Sequence, residues 1–347
     1  MDSIQGRRGA SAGLMLFAVI LAFAVITLGA YVRLSDAGLG CPDWPGCYGQ
    51  VIVPQSPADI AKAKAVYPER PLESSKAWKE MAHRYLAASL GLVILWIALQ
   101  SWRCRGQGRQ QLFLPLSLVA MVILQGLLGM WTVTLLLKPT VVTLHLLMGM
   151  ATLALVWLAY LRQRDTQQLF SRSSGWRRER LRPWALLGLL VLAVQIALGG
   201  WTSTNYAALH CPDLPLCQGS WWPPTDYEAA FRLWREDALL EPPALNYEGG
   251  ALSNQAAVTV HMTHRLGALV TLMVLGLLSL WLLRRSVDGE LRTSGAWLLL
   301  LLVTQVALGI SNVLLHLPTV LAVAHNGCAA LLLLIVVKLN YQLTTRR

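Results

Sequence analysis

Charge is scarce in this chain. Only 14% of its 347 residues are Asp, Glu, Lys or Arg, while 55% are hydrophobic. An ordinary soluble domain carries roughly a quarter of its residues as charges, so this composition excludes that class and indicates a polytopic membrane protein. Acidic residues are the rarer sign, 18 against 29 Lys plus Arg, which gives a net charge of +11. Such an excess can signal nucleic-acid binding. Here the arginines are dispersed among membrane-length apolar runs, so no nucleic-acid partner is expected.

What the chain does have is long apolar runs. A spanning helix needs roughly 20 apolar residues, and eight such runs can be read, at about 11–32, 81–100, 112–136, 140–161, 184–203, 258–283, 296–315 and 319–340. In lipid the backbone must satisfy its own hydrogen bonds, so these runs predict helices. The first run follows Arg7-Arg8 as a signal peptide would, but it is too long for a signal core and has a repeat partner later on. The basic residues fall where alternating helices would put one side of a membrane. Arg103, Arg105 and Arg109 follow the second run, and seven arginines lie between Arg162 and Arg182. Arg284, Arg285 and Arg292 follow the sixth run, and Arg346 and Arg347 end the chain. Basic residues favour the cytoplasmic side, so both termini are expected inside and the long loops, about 33–79 and 204–257, outside. That predicts a multi-pass protein of the bacterial cytoplasmic (inner) membrane, in contact with its lipid.

The sequence repeats itself. Ile26-Thr-Leu-Gly-Ala leads into Cys41-Pro-Asp-Trp-Pro-Gly-Cys47, and Ile196-Ala-Leu-Gly-Gly into Cys211-Pro-Asp-Leu-Pro-Leu-Cys217, an offset of 170 residues. Gln125-Gly-Leu-Leu-Gly129 matches Gln305-Val-Ala-Leu-Gly309 at an offset of 180. The fold expected is therefore all-α, with eight transmembrane helices as two tandem four-helix bundles. They comprise an N-terminal unit 1–161, a cytoplasmic linker 162–183 and a C-terminal unit 184–347. An even helix number per unit gives parallel units, related by an axis along the membrane normal. Gln-x-x-Leu-Gly occurs at 125–129, 195–199 and 305–309. Its glycines predict close helix packing and its glutamines bonds between helices, with a polar contact to a ligand edge as the alternative. In the loops, Asp59–Val66 and Tyr227–Leu240 read as short helices, and Ser74 and Ser75 as N-caps of the second span.

Four histidines stand out. His83, His145, His264 and His325 lie near the outer ends of the second, fourth, sixth and eighth runs. His145 is six residues after Pro139 and His325 seven after Pro318, which puts them roughly 8–10 Å below their helix starts. A lone histidine on an apolar helix is usually a packing residue. Four on equivalent helices of a duplication suggest iron ligands, because facing imidazoles across a bundle are a common heme arrangement, whereas zinc prefers a tight tetrahedral cluster. Pairing is expected within each unit, His83 with His145 and His264 with His325. Arg84 and Arg265 follow the first histidine of each pair and are candidate partners of heme propionates. Glu80, three residues before His83 on the same helical face, corresponds to His261. A carboxylate beside one heme only suggests unequal roles for the two.

Cysteine is limited to six residues. Cys41, Cys47, Cys211 and Cys217 lie in the outer loops, where disulfides are permitted. Three connectivities exist for four cysteines, and the repeat favours the local one. A structural staple and a redox-active thiol pair are both open readings. Cys104 is expected free on the inner side, and Cys328 a small packing residue. His210 and His316 receive no role.

Taken together, Glu80-x-x-His83-Arg84, His264-Arg265, His145, His325 and a cysteine pair in each long loop resemble the heme A synthase family over nearly the whole chain. The resemblance implies oxidation of a ring methyl of heme O to a formyl group, giving heme A for terminal oxidases. It further implies that His264 and His325 hold a heme b cofactor, that His83 and His145 hold the substrate heme, and that Glu80 sits at the reaction site. Heme O as substrate, heme O synthase as its supplier, an electron acceptor and a homo-oligomer are the partners it suggests. The other readings open at this point are a bis-heme b electron-transfer protein of the quinol-linked type and, more weakly, a heme transporter.

Overall fold

The computed structural model describes residues 11–103, 110–167, 176–233, 246–286 and 288–344. Eight of its helices are long and apolar enough to cross a membrane. They are α1 (Ala12–Leu34), α3 (Ser74–Arg103), α4 (Gln110–Thr134), α5 (Pro139–Gln167), α6 (Trp176–Thr204), α8 (Asn254–Arg285), α9 (Gly289–Leu314) and α10 (Thr319–Thr344). Two short helices lie in the long loops, α2 (Pro57–Val66) and α7 (Tyr227–Ala230). All eight predicted spans are present, so the apolar runs fold as their length requires.

The termini differ in instructive ways. α3 starts at Ser74, seven residues outward of its apolar run, and its first turn closes from Ala77 N–H to the carbonyl of Glu73. Ser74 and Ser75 are thus the first two helical residues, not caps, and Glu73 takes the cap position. α2 starts two residues earlier than expected because Ser56 caps it, its Oγ accepting from Asp59 N–H at 3.1 Å. Of the expected Tyr227–Leu240 helix, the described part is helical only to Ala230. Residues 234–240 lie outside the described residues, as does Cys104.

α1 packs on α3 and α5, and α4 packs on the same two, closing a ring of four. α6 packs on α8 and α10, and α9 on the same two, closing a second ring in the same order. The rings meet through α1 against α10, α5 against α6, and α5 against α10. Under the repeat α1 corresponds to α6 and α10 to α5, so the first two contacts exchange with each other, as in an isologous interface. Residues at the join are near-counterparts. The Arg33 guanidinium donates to the Ser203 carbonyl at 2.6 Å and lies 3.9 Å from the centre of the Tyr206 ring, whose hydroxyl donates to Asp36. Deeper in, Trp157 Nε1 donates to the Leu334 carbonyl at 2.9 Å.

The duplication extends to single backbone conformations. Positive φ angles occur at Asp36 and Tyr206, at Tyr48 and Gln218, at Leu136 and His316, and at Leu137 and Leu317. Each pair is separated by the sequence offset of 170 or 180 residues. These are non-glycine residues in the left-handed region, which is costly and seldom arises by chance. Their recurrence shows that turns as well as helices were copied.

Candidate functional site

The four histidines share one structural setting. Each imidazole lies against a glycine on the preceding span. A Cβ placed on Gly29 would come 2.8 Å from Cε1 of His83, and one on Gly129 3.4 Å from Cε1 of His145. The corresponding distances are 3.2 Å for Gly199 and His264, and 3.1 Å for Gly309 and His325. Any side chain at Gly29 would displace the ring. The glycines of the Leu-Gly dipeptides therefore do more than bring helices together: they leave the space that the histidines occupy. From the sequence, Gly129, Gly199 and Gly309 predict close helix packing, and Gly29 carries no expectation of its own. The signal was available, since Leu-Gly also ends Ile26-Thr-Leu-Gly29 on the first span, where no glutamine precedes it.

His83 and His145 face each other, with ring centroids 6.5 Å apart and planes at 78°. An imidazole nitrogen binds a first-row metal at about 2 Å, so two such bonds plus the reach from each ring centre to its nitrogen span a comparable distance. Nδ1 of His83, His145 and His325 is buried without a partner in the protein. Among the described residues no group of three or more His, Cys, Asp or Glu converges on one point. A bare zinc-type ion would thus lack a donor set. A heme needs only two axial ligands from the protein, and the residues present fit that requirement.

Glutamines join the histidine helices to their neighbours. Gln125 Nε2 donates to the His145 carbonyl at 2.9 Å. Gln195 Nε2 donates to the His264 carbonyl and lies 3.1 Å from its Nδ1. Gln305 Nε2 lies 3.2 Å from a ring nitrogen of His325. The expected inter-helix bonding is present, and two of the three glutamines reach the imidazole itself.

The cysteine loops fold back down the spanning helices. Cys41–Cys47 and Cys211–Cys217 are disulfide-bonded, with Cα–Cα distances of 4.8 and 4.6 Å, which is the local pairing. All four are fully buried. In each loop an aspartate closes the turn after the ring. Asp43 accepts from Tyr48 and Gly49 N–H, and Asp213 from Gln218 and Gly219 N–H.

Arg84 and Arg265 hold these loops from below. Arg84 donates to the carbonyls of Asp43, Pro45 and Gly46, and Arg265 to those of Cys211, Asp213 and Leu216. Both were expected beside propionates. The structure shows the guanidiniums bonded to loop carbonyls, which residue spacing does not reveal, because it depends on the loop returning to the depth of the helix's fourth turn.

Glu80 belongs to the same assembly. It is 5% exposed. One carboxylate oxygen accepts from Arg84 Nη2 at 2.5 Å and the other from the backbone N–H of Cys41 at 2.8 Å. It was expected beside the first-unit heme, and both of its oxygens are engaged by the loop and its arginine. His261, at the matching place, accepts from Arg265 Nε at 3.3 Å. Of the other residues considered, Cys328 is buried with its Sγ 3.4 Å from the Leu301 carbonyl, as a packing residue would be.

Fold and site together define a membrane-spanning helical protein with paired histidines between its helices. Residues 12–337 match the COX15-CtaA model, described as cytochrome oxidase assembly protein. The chain is 44% identical to the heme A synthase of Shewanella oneidensis, over 94% of this chain and 95% of that one. It is 30% identical to the heme A synthase of Chelativorans sp., over 91% and 86% of the two chains, and 26% identical to that of Bacillus licheniformis, over 66% and 70%. The chain belongs to the COX15-CtaA family, the family of the heme A synthases.

Proposed function

We infer that this protein converts heme O to heme A, oxidising a ring methyl to a formyl group for cytochrome oxidase assembly. The observation that carries the reading is the facing pair His83 and His145 in a chain so similar to heme A synthases over nearly its full length. In this reading residues 1–161 form the substrate unit and His83 and His145 are the axial ligands of the substrate heme. Residues 184–347 form the cofactor unit, where His264 and His325 hold heme b. Bound heme b would supply the one-electron chemistry that side chains lack.

The chain's own residues do the rest. The glycine-backed imidazoles orient the two hemes, and the apolar helices exclude water from them. Glu80, one turn outward of His83, is the residue placed to take a proton at its carboxylate. Arg84 holds that carboxylate against the Cys41 backbone.

Extraction of pigment from purified protein tests the assignment. Heme O or heme A beside heme b is expected, with the heme O or heme A component lost from His83→Ala. Heme b alone in the native protein would instead favour a bis-heme electron carrier.

We further propose that the termini and residues 162–183 face the cytoplasm of a bacterial inner membrane, with the disulfide loops outside. The dispersed arginines support this orientation. A reporter fused after Arg347 should be active in the cytoplasm, and periplasmic activity there would refute the arrangement.

A further inference from the structure

We propose that Gln195 and Gln305 are positioning residues for the heme of the second unit, fixing both of its axial imidazoles, while the first unit has no side chain in that role. The inference rests on the proposed reading that each unit binds one heme through its histidine pair. An imidazole that ligates iron through one nitrogen carries a proton on the other, and that proton requires an acceptor that also sets the ring's orientation. Gln195 and Gln305 both contact a ring nitrogen of their histidine, at 3.1 and 3.2 Å. Each has a buried Oε1 with no partner in the protein. An amide in that place can turn its oxygen to the ring N–H, so each glutamine has an acceptor in reserve beside its ligand.

The first unit differs at both equivalent places. The Gln125 side chain reaches the backbone carbonyl of His145 and not its ring, whose hydrogen-bonding neighbour is the Gln125 backbone. On α1 the position four residues before Gly29 is Val25, which offers His83 only its backbone carbonyl and no side-chain partner. The asymmetry matches the two tasks. A cofactor must stay, and rigid imidazoles retain it. A substrate must arrive and its product leave, and imidazoles without a side-chain partner release it more readily. Glutamine at three of the four positions and valine at the fourth is thus a distinction between a permanent and an exchanging heme.

Full-length protein carrying Gln195→Leu, Gln305→Leu, Gln125→Leu or Gln195→Glu would be purified in detergent with its hemes. Heme release to apomyoglobin and the low-spin ferric spectrum would be followed, and the second-unit heme identified as the one missing from His264→Ala. Gln195→Leu and Gln305→Leu should speed release of that heme by about 10–100-fold, the usual effect of removing a partner of a metal-bound histidine. Gln125→Leu should leave its release unchanged. Gln195→Glu keeps the shape and offers a stronger acceptor, so it should retain the heme and lower its midpoint potential, a response that a role in packing alone would not produce. If Leu variants fail to fold, the Gln195→Glu potential decides the matter. Unchanged release in both Leu variants, or an unmoved potential in Gln195→Glu, would overturn the proposal. Retention of both hemes by His264→Ala would instead refute the ligand assignment beneath it.

Discussion

His264→Ala is expected to lose the second-unit heme and to make no heme A. The imidazole would be one of only two protein bonds to the iron, and the space it vacates lies against Gly199, which has no side chain to fill it. The fold should survive. α8 buries Val258, Val260, Leu275, Leu278 and Leu282 independently of the ligand, so helix content should match the unsubstituted protein. The hemochrome spectrum of purified protein measures the outcome directly. His325→Ala should behave alike. A full complement of low-spin heme in both variants would show that these histidines are not ligands. His83→Ala is the informative counterpart, since it should retain heme b yet leave heme O unconverted.

Glu80→Gln carries the second large effect. Losing a general base typically slows a reaction by about 10²–10⁴-fold, so the ratio of heme A to heme O in cells should fall by that order while both hemes remain bound. The structure adds a competing explanation. Glu80 also ties the Cys41 backbone to Arg84, and its replacement loosens the disulfide loop. Arg84→Gln separates the two. It removes three loop contacts and the ion pair but leaves the carboxylate. If proton transfer is the role of Glu80, Arg84→Gln should be much milder than Glu80→Gln. Equal losses would make Glu80 a loop anchor instead. His261→Gln should be mild in either case, because His261 lies beside Arg265 in the second unit and not beside the substrate heme of the proposed reading.

These expectations draw unequally on sequence and structure. The eight spans were legible because lipid admits so few backbone solutions, and a 20-residue apolar run leaves little choice. The histidines were legible because duplication displayed each of them in an equivalent setting. The loop contacts of the arginines were not legible, for a physical reason. Position on a helix reveals the face but not what packs against it, and the loops return to Arg84 and Arg265 through turns whose aspartate and positive-φ residues carry no long-range signal. The glycines behind the histidines were visible in Leu-Gly, yet small residues on membrane helices have a ready explanation in packing, which concealed the second function. The single asymmetry in the glutamines, Val25, lies in a stretch that reads as uniform hydrocarbon.

The join between the halves bears on how such a chain can arise. Arg33 bonds to Ser203, its own counterpart in the repeat. In a dimer of identical half-length chains, that position would face itself across the axis. An arginine there would oppose an arginine, and a serine would leave the opposite carbonyl without its cation. Two copies free to diverge can place one of each. The seam thus depends on both copies, Arg33 from the first supplying the cation and Ser203 and Tyr206 from the second receiving it.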